Sequence, residues 1–285
     1  MRIEVPSHFR HAGDLSPRYA SQDPRDADFS ESRLELDLRS CEFLRPPAVL
    51  WCVVYPLLAQ SRGVPSVLLV PEDVGVCTYL KSVGLFELLK EREVVVDDRG
   101  IAQRRDQQLI LPLTHFDTQD AVENLANQSL EALTSSDLGS SNLYPLVSEI
   151  FAELGLNAVE HSESPIGGFG FIQFYEFSEG RRFVCGVADG GIGIRRSLQR
   201  NPELAERIYY DWSAIELAVR ERVSGTGQQT RGIGLYGVAE DMRSPRRQLI
   251  IHSGLGSLQI SEDVESEARR TTLFPGTLAY ASIPG

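Results

Sequence analysis

The chain has 285 residues, a formal net charge of -12 and an apolar fraction of 42%. Its length favours two domains, and its apolar fraction is ordinary for a folded protein, which argues against disorder of the whole chain. Its negative charge argues against broad electrostatic binding to nucleic acid or to an anionic membrane.

The chain start and the cysteines bear on where the protein works. Met1 and the residues after it lack the basic start and apolar run of a signal peptide, and no apolar stretch is long enough to span a bilayer. The four cysteines show no metal-ligand spacing, so we expect them to be reduced and buried: Cys41, Cys52, Cys77 and Cys185. A soluble, cytoplasmic protein is expected.

The first part of the chain alternates strand and helix patterns. Residues 34–38 alternate as a half-buried strand does, and Pro46-Pro47 opens an apolar helical run. The patterns predict strands at 34–38, 67–70 and 94–96 and helices at 48–59 and 74–83. This order predicts a small α/β domain with parallel strands over residues 1–100.

A polar break at residues 97–100 marks the predicted domain boundary, and the second domain is expected over residues 105–285. Its patterns predict helices at 117–133, 144–161, 212–222 and 235–242, and strands at 109–113, 169–177, 182–189, 248–253, 256–260 and 277–283. Helices on one side of a mixed, mostly antiparallel sheet would make an α+β two-layer sandwich.

A polar stripe runs along the helix that begins near Tyr144, where Glu149, Glu153, Asn157 and His161 recur every fourth residue. A water-facing stripe is the simpler interpretation, and we keep it for Glu149. Asn157 offers a neutral oxygen suited to Mg²⁺, and Glu153 is suited to deprotonating an attacking water. His161 has two interpretations of equal weight, a contact to phosphate or metal and a local cap.

Asp189 ends an apolar strand and is followed by Gly190, Gly191 and Gly193. A buried carboxylate needs a partner, and the exocyclic amine of adenine is a natural one. The glycines would let the backbone approach a ligand closely. The alternative is an aspartate that bonds its own turn.

A glycine-rich segment, residues 224–234, leads into an apolar helical run at Leu235. Its composition suits a mobile lid, with Thr226, Gln228 or Arg231 able to reach a terminal phosphate, and a flexible linker is the alternative. Gly232 and Gly234 would present free N–H groups at the helix start to phosphate.

These segments resemble the GHKL, or Bergerat-fold, ATPases, which include histidine-kinase-like ATPase domains. Residues 153–157 are similar to the N-box of that family, 189–193 and 232–235 to its two glycine boxes, and 274–277 to its glycine-threonine segment. The resemblance implies ATP and Mg²⁺ as ligands, with Glu153 as general base, Asn157 as Mg²⁺ ligand and Thr277 as a support for Asp189. It implies nucleotide contacts at Asn157, His161, Asp189, Gly191, Gly193, Ile194, Thr226, Arg231, Gly232, Gly234, Leu235 and Thr277.

Residues 30–97 resemble STAS domains of the anti-anti-sigma type, chiefly through the run from Leu34 to Leu44 and the helix after it. Phosphorylated STAS relatives carry a serine at that helix start, whereas this chain has Arg45-Pro46-Pro47. Three functions are therefore expected as alternatives: an ATPase or ATP-gated switch that regulates a protein partner, a protein serine kinase of the anti-sigma type, and an ATP-binding scaffold without turnover. The missing serine favours the first, and a homodimer is expected by analogy alone.

Overall fold

The computed structural model describes residues 1–15, 23–24, 33–97, 109–136, 138–177, 180–220, 234–262, 264–265 and 267–285. Within these ranges the chain forms two main sheets and a set of helices. The helices are α1 (Pro46–Ser61), α2 (Val74–Ser82), α3 (Leu85–Glu91), α4 (Gln119–Thr134), α5 (Tyr144–His161), α6 (Gly193–Leu198), α7 (Pro202–Ala205), α8 (Asp211–Arg220) and α9 (Gly234–Met242). The strands are β1 (Arg2–Glu4), β2 (His8–Phe9), β3 (Leu34–Asp37), β4 (Phe43–Leu44), β5 (Ser66–Leu69), β6 (Val95–Val96), β7 (Leu109–Phe116), β8 (Gly168–Phe177), β9 (Gly180–Asp189), β10 (Gln248–Ser261), β11 (Val264–Glu265) and β12 (Arg269–Pro284).

The first sheet has four parallel strands in the order β1-β3-β5-β6. The three strands predicted for this region correspond to β3, β5 and β6, and the two predicted helices to α1 and α2, so these predictions are confirmed. Strand β1 and helix α3 were not predicted from the sequence. Three residues of β1 are too few to show a period of two, and α3 follows α2 after only a short turn in which Gly84 has φ +92°. The predicted domain boundary remains a prediction, because residues 98–108 lie outside the described ranges.

The second sheet has six strands in the order β11-β10-β12-β9-β8-β7, and all of its neighbouring pairs are antiparallel. The two strands predicted at 248–253 and 256–260 form one strand, β10, whose register shifts at Gly254 and Gly256. The α5 prediction agrees with the structure at both ends, whereas the short helices α6 and α7 were not predicted.

Both faces of the six-stranded sheet are covered. Helices α4, α5, α8 and α9 pack on one face, and α1 packs on the other. Because α1 lies between the two sheets, its residues are buried all around the helix from Pro47 to Ala59. The apolar core of the first sheet therefore continues onto the second, and Tyr79 of α2 extends this contact with its hydroxyl 3.0 Å from that of Tyr175 in β8.

Two further expectations concern the cysteines and membrane-spanning helices. The cysteines are buried and free of disulfides, as expected, and burial raises the pKa of the Cys52 and Cys185 thiols. In the described part of the chain, no helix has the length and apolar character needed to cross a membrane.

His252 is a buried titratable group in the middle of β10. Its Nε2 lies 2.7 Å from the carbonyl oxygen of Thr272, and its ring centroid lies 5.6 Å from that of Phe274. Burial lowers the pKa of His252 to about 4, against 6.5 for an exposed histidine. The folded protein therefore holds this imidazole neutral at pH values where the unfolded chain protonates it.

We predict that His252 makes the fold sensitive to acid. As the pH falls from about 6.5 to 4, the imidazole of residue 252 binds a proton in the unfolded chain but stays largely neutral in the folded protein. The free energy of unfolding should therefore drop by about 2–3 kcal/mol. Urea unfolding across this range measures the loss. His252→Gln should remove this part of the pH dependence, and the exposed His8→Gln should keep it. An NMR titration that placed the pKa of His252 near 6.5 would contradict the prediction.

Candidate functional site

Three polar residues lie side by side on three neighbouring strands: Asp189 at the end of β9, Thr277 within β12 and Ser253 within β10. Thr277 is the register partner of both Asp189 and Ser253. Side chains alternate across a sheet, and Cys185 and Val187 of β9 face α5, so Asp189 projects to the same side. This row of residues therefore places a carboxylate and two hydroxyls on the sheet face covered by α5, the helix that carries Glu153 and Asn157.

Asp189 is 4% exposed and is held by backbone N–H groups. Its Oδ1 accepts hydrogen bonds from the N–H of Gly191 at 2.8 Å and from the N–H of Thr277 at 3.3 Å. The bond to Gly191 is the turn interaction that the alternative interpretation of Asp189 predicted, and it is confirmed.

Ser253 links this row of three residues to the start of α6. Its Oγ accepts a hydrogen bond from the N–H of Ile194 at 2.9 Å and lies 3.1 Å from Thr277 Oγ1 and 3.1 Å from the carbonyl oxygen of Gly276. Gly193 precedes this contact with φ +77°, a conformation that favours glycine. The sequence analysis missed Ser253, because a single serine in a strand forms no recognisable pattern.

The glycine-rich loop after Asp189 lies against the end of α5. The N–H of Ile192 donates to the carbonyl oxygen of Ser162 at 2.7 Å, and the N–H of Gly190 donates to Ser164 Oγ at 3.2 Å. A Cβ atom at Gly191 would lie 2.0 Å from the Ser162 oxygen, so this approach requires glycine. The loop and α5 are therefore one continuous, closely packed surface.

Glu153 and Asn157 lie one turn apart on α5, next to α9. Glu153 Oε2 accepts a hydrogen bond of 3.0 Å from the N–H of Gly234, the first residue of α9. The carboxylate thus lies at the positive end of the helix dipole, where negative charge is favoured. Asn157 Nδ2 donates to the carbonyl oxygen of Glu153 at 2.7 Å, which leaves Oδ1 as the atom that can ligate a cation.

The other residues predicted for the site differ in how far the structure places them. Leu235 follows Gly234 in α9 and is half-buried. His161 ends α5, and its Nε2 lies 3.8 Å from Glu160 Oε2, a contact outside the network around Asp189. Thr226, Arg231 and Gly232 lie outside the described residues, as does most of the predicted lid.

Asp211 is a second residue that the sequence analysis missed. Its Oδ2 accepts the N–H of Leu255 at 2.8 Å, and its Oδ1 lies 2.9 Å from Arg195 Nε. Gly254, at φ +55°, makes room for this carboxylate, since a Cβ atom there would lie 2.6 Å from Asp211 Oδ2. Asp211 thereby joins α8 and α6 to the shifted part of β10, beside Ser253.

No group of three or more histidine, cysteine, aspartate or glutamate side chains within the described ranges is arranged to hold a metal ion. Comparison of the chain with protein-family models and with curated proteins found no match.

We predict that Ser253→Ala destabilises the fold where β9, β12 and β10 meet the start of α6. The substitution removes the partner of a backbone N–H and of a hydroxyl at a side chain that is 2% exposed, so the free energy of unfolding should fall by about 1–3 kcal/mol. Urea denaturation at neutral pH measures the change. Ser257→Ala, in the same strand but outside the network, should have a smaller effect. Equal losses in the two variants would contradict the structural role given to Ser253.

Proposed function

We propose that the protein binds ATP with Mg²⁺ and hydrolyses it, or switches conformation with it, to regulate a protein partner. The observation that supports this proposal best is that Asp189 projects from the face of the second sheet covered by α5, the helix that carries Glu153 and Asn157, although Asp189 is far from both in the chain. In the GHKL ATPases, residues matching these three contact the adenine amine, activate water and ligate Mg²⁺. The antiparallel sheet with α4, α5, α8 and α9 on one face is compatible with the Bergerat fold that we propose for this part.

The chemistry of each residue fits its proposed role. The buried carboxylate of Asp189 is a hydrogen-bond acceptor, which suits the exocyclic amine of adenine, and the backbone bonds to Oδ1 hold it in place at the end of β9. Asn157 would hold the Mg²⁺, which supplies charge neutralisation at the phosphates. Glu153 would accept the proton of the attacking water through its carboxylate, which is partly engaged by the N–H of Gly234.

A base at residue 153 distinguishes an ATPase from a scaffold, because binding alone requires none. The second alternative is a serine kinase of the anti-sigma type that phosphorylates a partner; phosphorylation of the STAS-like unit within the same chain is disfavoured by geometry. The start of α1, where phosphorylated STAS relatives carry serine, is about 18 Å along the helix axis from Leu58, the α1 residue near Gly190. Helix α1 also covers the face of the sheet opposite α5. A kinase of this kind would have to act on another protein.

We predict that nucleotide binding depends on the charge of Asp189. Asp189→Asn keeps an oxygen for the N–H of Gly191 but loses the carboxylate, so ATP affinity should fall by about 10- to 100-fold. Asp189→Ala also loses the turn contact and should abolish binding. Isothermal titration calorimetry with a nonhydrolysable ATP analogue and Mg²⁺ measures both effects. Unchanged affinity in Asp189→Asn would remove the adenine contact from the proposal.

We predict that Glu153→Gln separates binding from turnover. Glutamine can still accept the Gly234 N–H but cannot take a proton from water, so hydrolysis should slow by about 10²- to 10⁴-fold while the dissociation constant for ATP stays close to wild type. Glu149→Gln, an exposed position one turn earlier on α5, is the matched control and should hydrolyse ATP at the wild-type rate.

The assay uses radiolabelled ATP with Mg²⁺ and reads free phosphate and protein-bound label separately. Free phosphate without label on protein supports an ATPase, and label on an added protein supports the kinase. Equal turnover in wild type and Glu153→Gln would contradict the role of Glu153 as base. Tight binding without either product would support the scaffold.

A further inference from the structure

Helix α1 lies alongside strand β9, on the face of the sheet opposite the proposed site. Leu50 of α1 lies near Gly186 of β9, and Leu58 lies near Gly190 just after the strand ends. Eight residues of helix span about 12 Å and four residues of strand about 13 Å, so the helix and the strand advance together in the same direction. The last turns of α1 therefore reach the loop that follows Asp189.

The contact at Gly190 leaves no room between the two segments. A Cβ atom at residue 190 would lie 2.8 Å from Leu58 Cδ2 and 2.9 Å from Ile166 Cδ1, closer than real Cβ atoms come to other carbon atoms. Leu58 is fully buried, so its side chain has no open space into which it can turn. Gly190, the residue between Asp189 and Gly191, is thus in close contact with Leu58 of the N-terminal unit. Its N–H donates a hydrogen bond to Ser164 Oγ.

We propose that Leu58 is a positioning residue for the nucleotide site: it holds the Asp189 loop in its binding conformation and thereby couples the N-terminal unit to ATP affinity. This inference rests on the proposed function of the site. Leu58 lies in α1, which belongs to the N-terminal unit, and it acts on the site through its contact with the backbone of Gly190. Truncating it leaves a cavity behind the loop, into which the loop can relax by a fraction of an ångström. Hydrogen bonds weaken steeply when their geometry is displaced in this way, so the Asp189 carboxylate would form a weaker hydrogen bond to the nucleotide.

Leu50 provides a matched control within the same helix. Both leucines are fully buried in the same core, and Leu50 Cδ1 would lie 3.1 Å from a Cβ atom at Gly186. Leu50→Ala and Leu58→Ala therefore remove the same atoms from the same helix–strand interface, and both should destabilise the fold. They differ in distance from the loop, because Gly186 lies three residues before Asp189 in the paired part of the strand.

The test measures the dissociation constant of the full chain for a nonhydrolysable ATP analogue with Mg²⁺, at a temperature where each variant is folded by circular dichroism. Leu58→Ala should raise the dissociation constant about tenfold, equivalent to roughly one hydrogen bond, and Leu50→Ala by less than about twofold. Leu58→Met, which refills most of the volume, should restore affinity close to wild type. Equal effects of Leu58→Ala and Leu50→Ala, or no effect of either, overturn the inference while leaving the proposed function intact.

A second measurement applies to the wild-type chain and needs no variant to fold. If α1 and the loop after Asp189 are coupled, the coupling acts in both directions, so a bound nucleotide must stabilise the end of α1. Hydrogen exchange with and without the analogue should show a larger slowing by the analogue for the amides of residues 55 and 57–61 than for those of residues 48–53. Equal protection of the two segments overturns the inference. Absence of any nucleotide binding by the wild type overturns the proposed function, and the inference with it.

Discussion

Close approach of backbone to backbone at the end of β9 is the constraint on which the rest of the candidate site depends. Gly191 meets the carbonyl of Ser162, and Gly276 meets the carbonyl of Asp189, where an added Cβ atom would lie 2.1 Å from the oxygen. Because neither glycine carries a side chain, β9, β12 and the end of α5 come together around the Asp189 carboxylate. Any larger residue at these points would force the strand ends apart and separate the groups that form the site.

The position of α1 gives the N-terminal unit a part in this arrangement. A helix between two sheets has no solvent-facing side, which explains a sequence that is apolar all around its axis from Pro47 to Ala59. The same burial brings its last turns against the loop after Asp189. A change in the N-terminal unit, such as the binding of a partner, would thus act on the site through packed side chains, the contact type that transmits small displacements most directly in a close-packed interior.

Much of the site's framework could be read from residue patterns. The period of α5 from Tyr144 to His161 is long and regular, so the sequence predicted both its ends and the spacing of Glu153 and Asn157. Asp189 was recognisable because a carboxylate ends an apolar strand before glycines. Ser253 and Asp211 were not recognisable, since each is a single polar residue whose partners are distant in the chain: Thr277 for the first and Leu255 with Arg195 for the second.

The sequence by itself determined most of the longer helices and strands, their order and the polar residue types of the candidate site, because helix and strand periods and glycine positions act over a few neighbouring residues. Tertiary structure alone decided which face α1 covers, that β10 is one continuous strand, and that Glu153 meets the first N–H of α9. These outcomes depend on how apolar surfaces far apart in the chain fit together, and no local pattern encodes that fit.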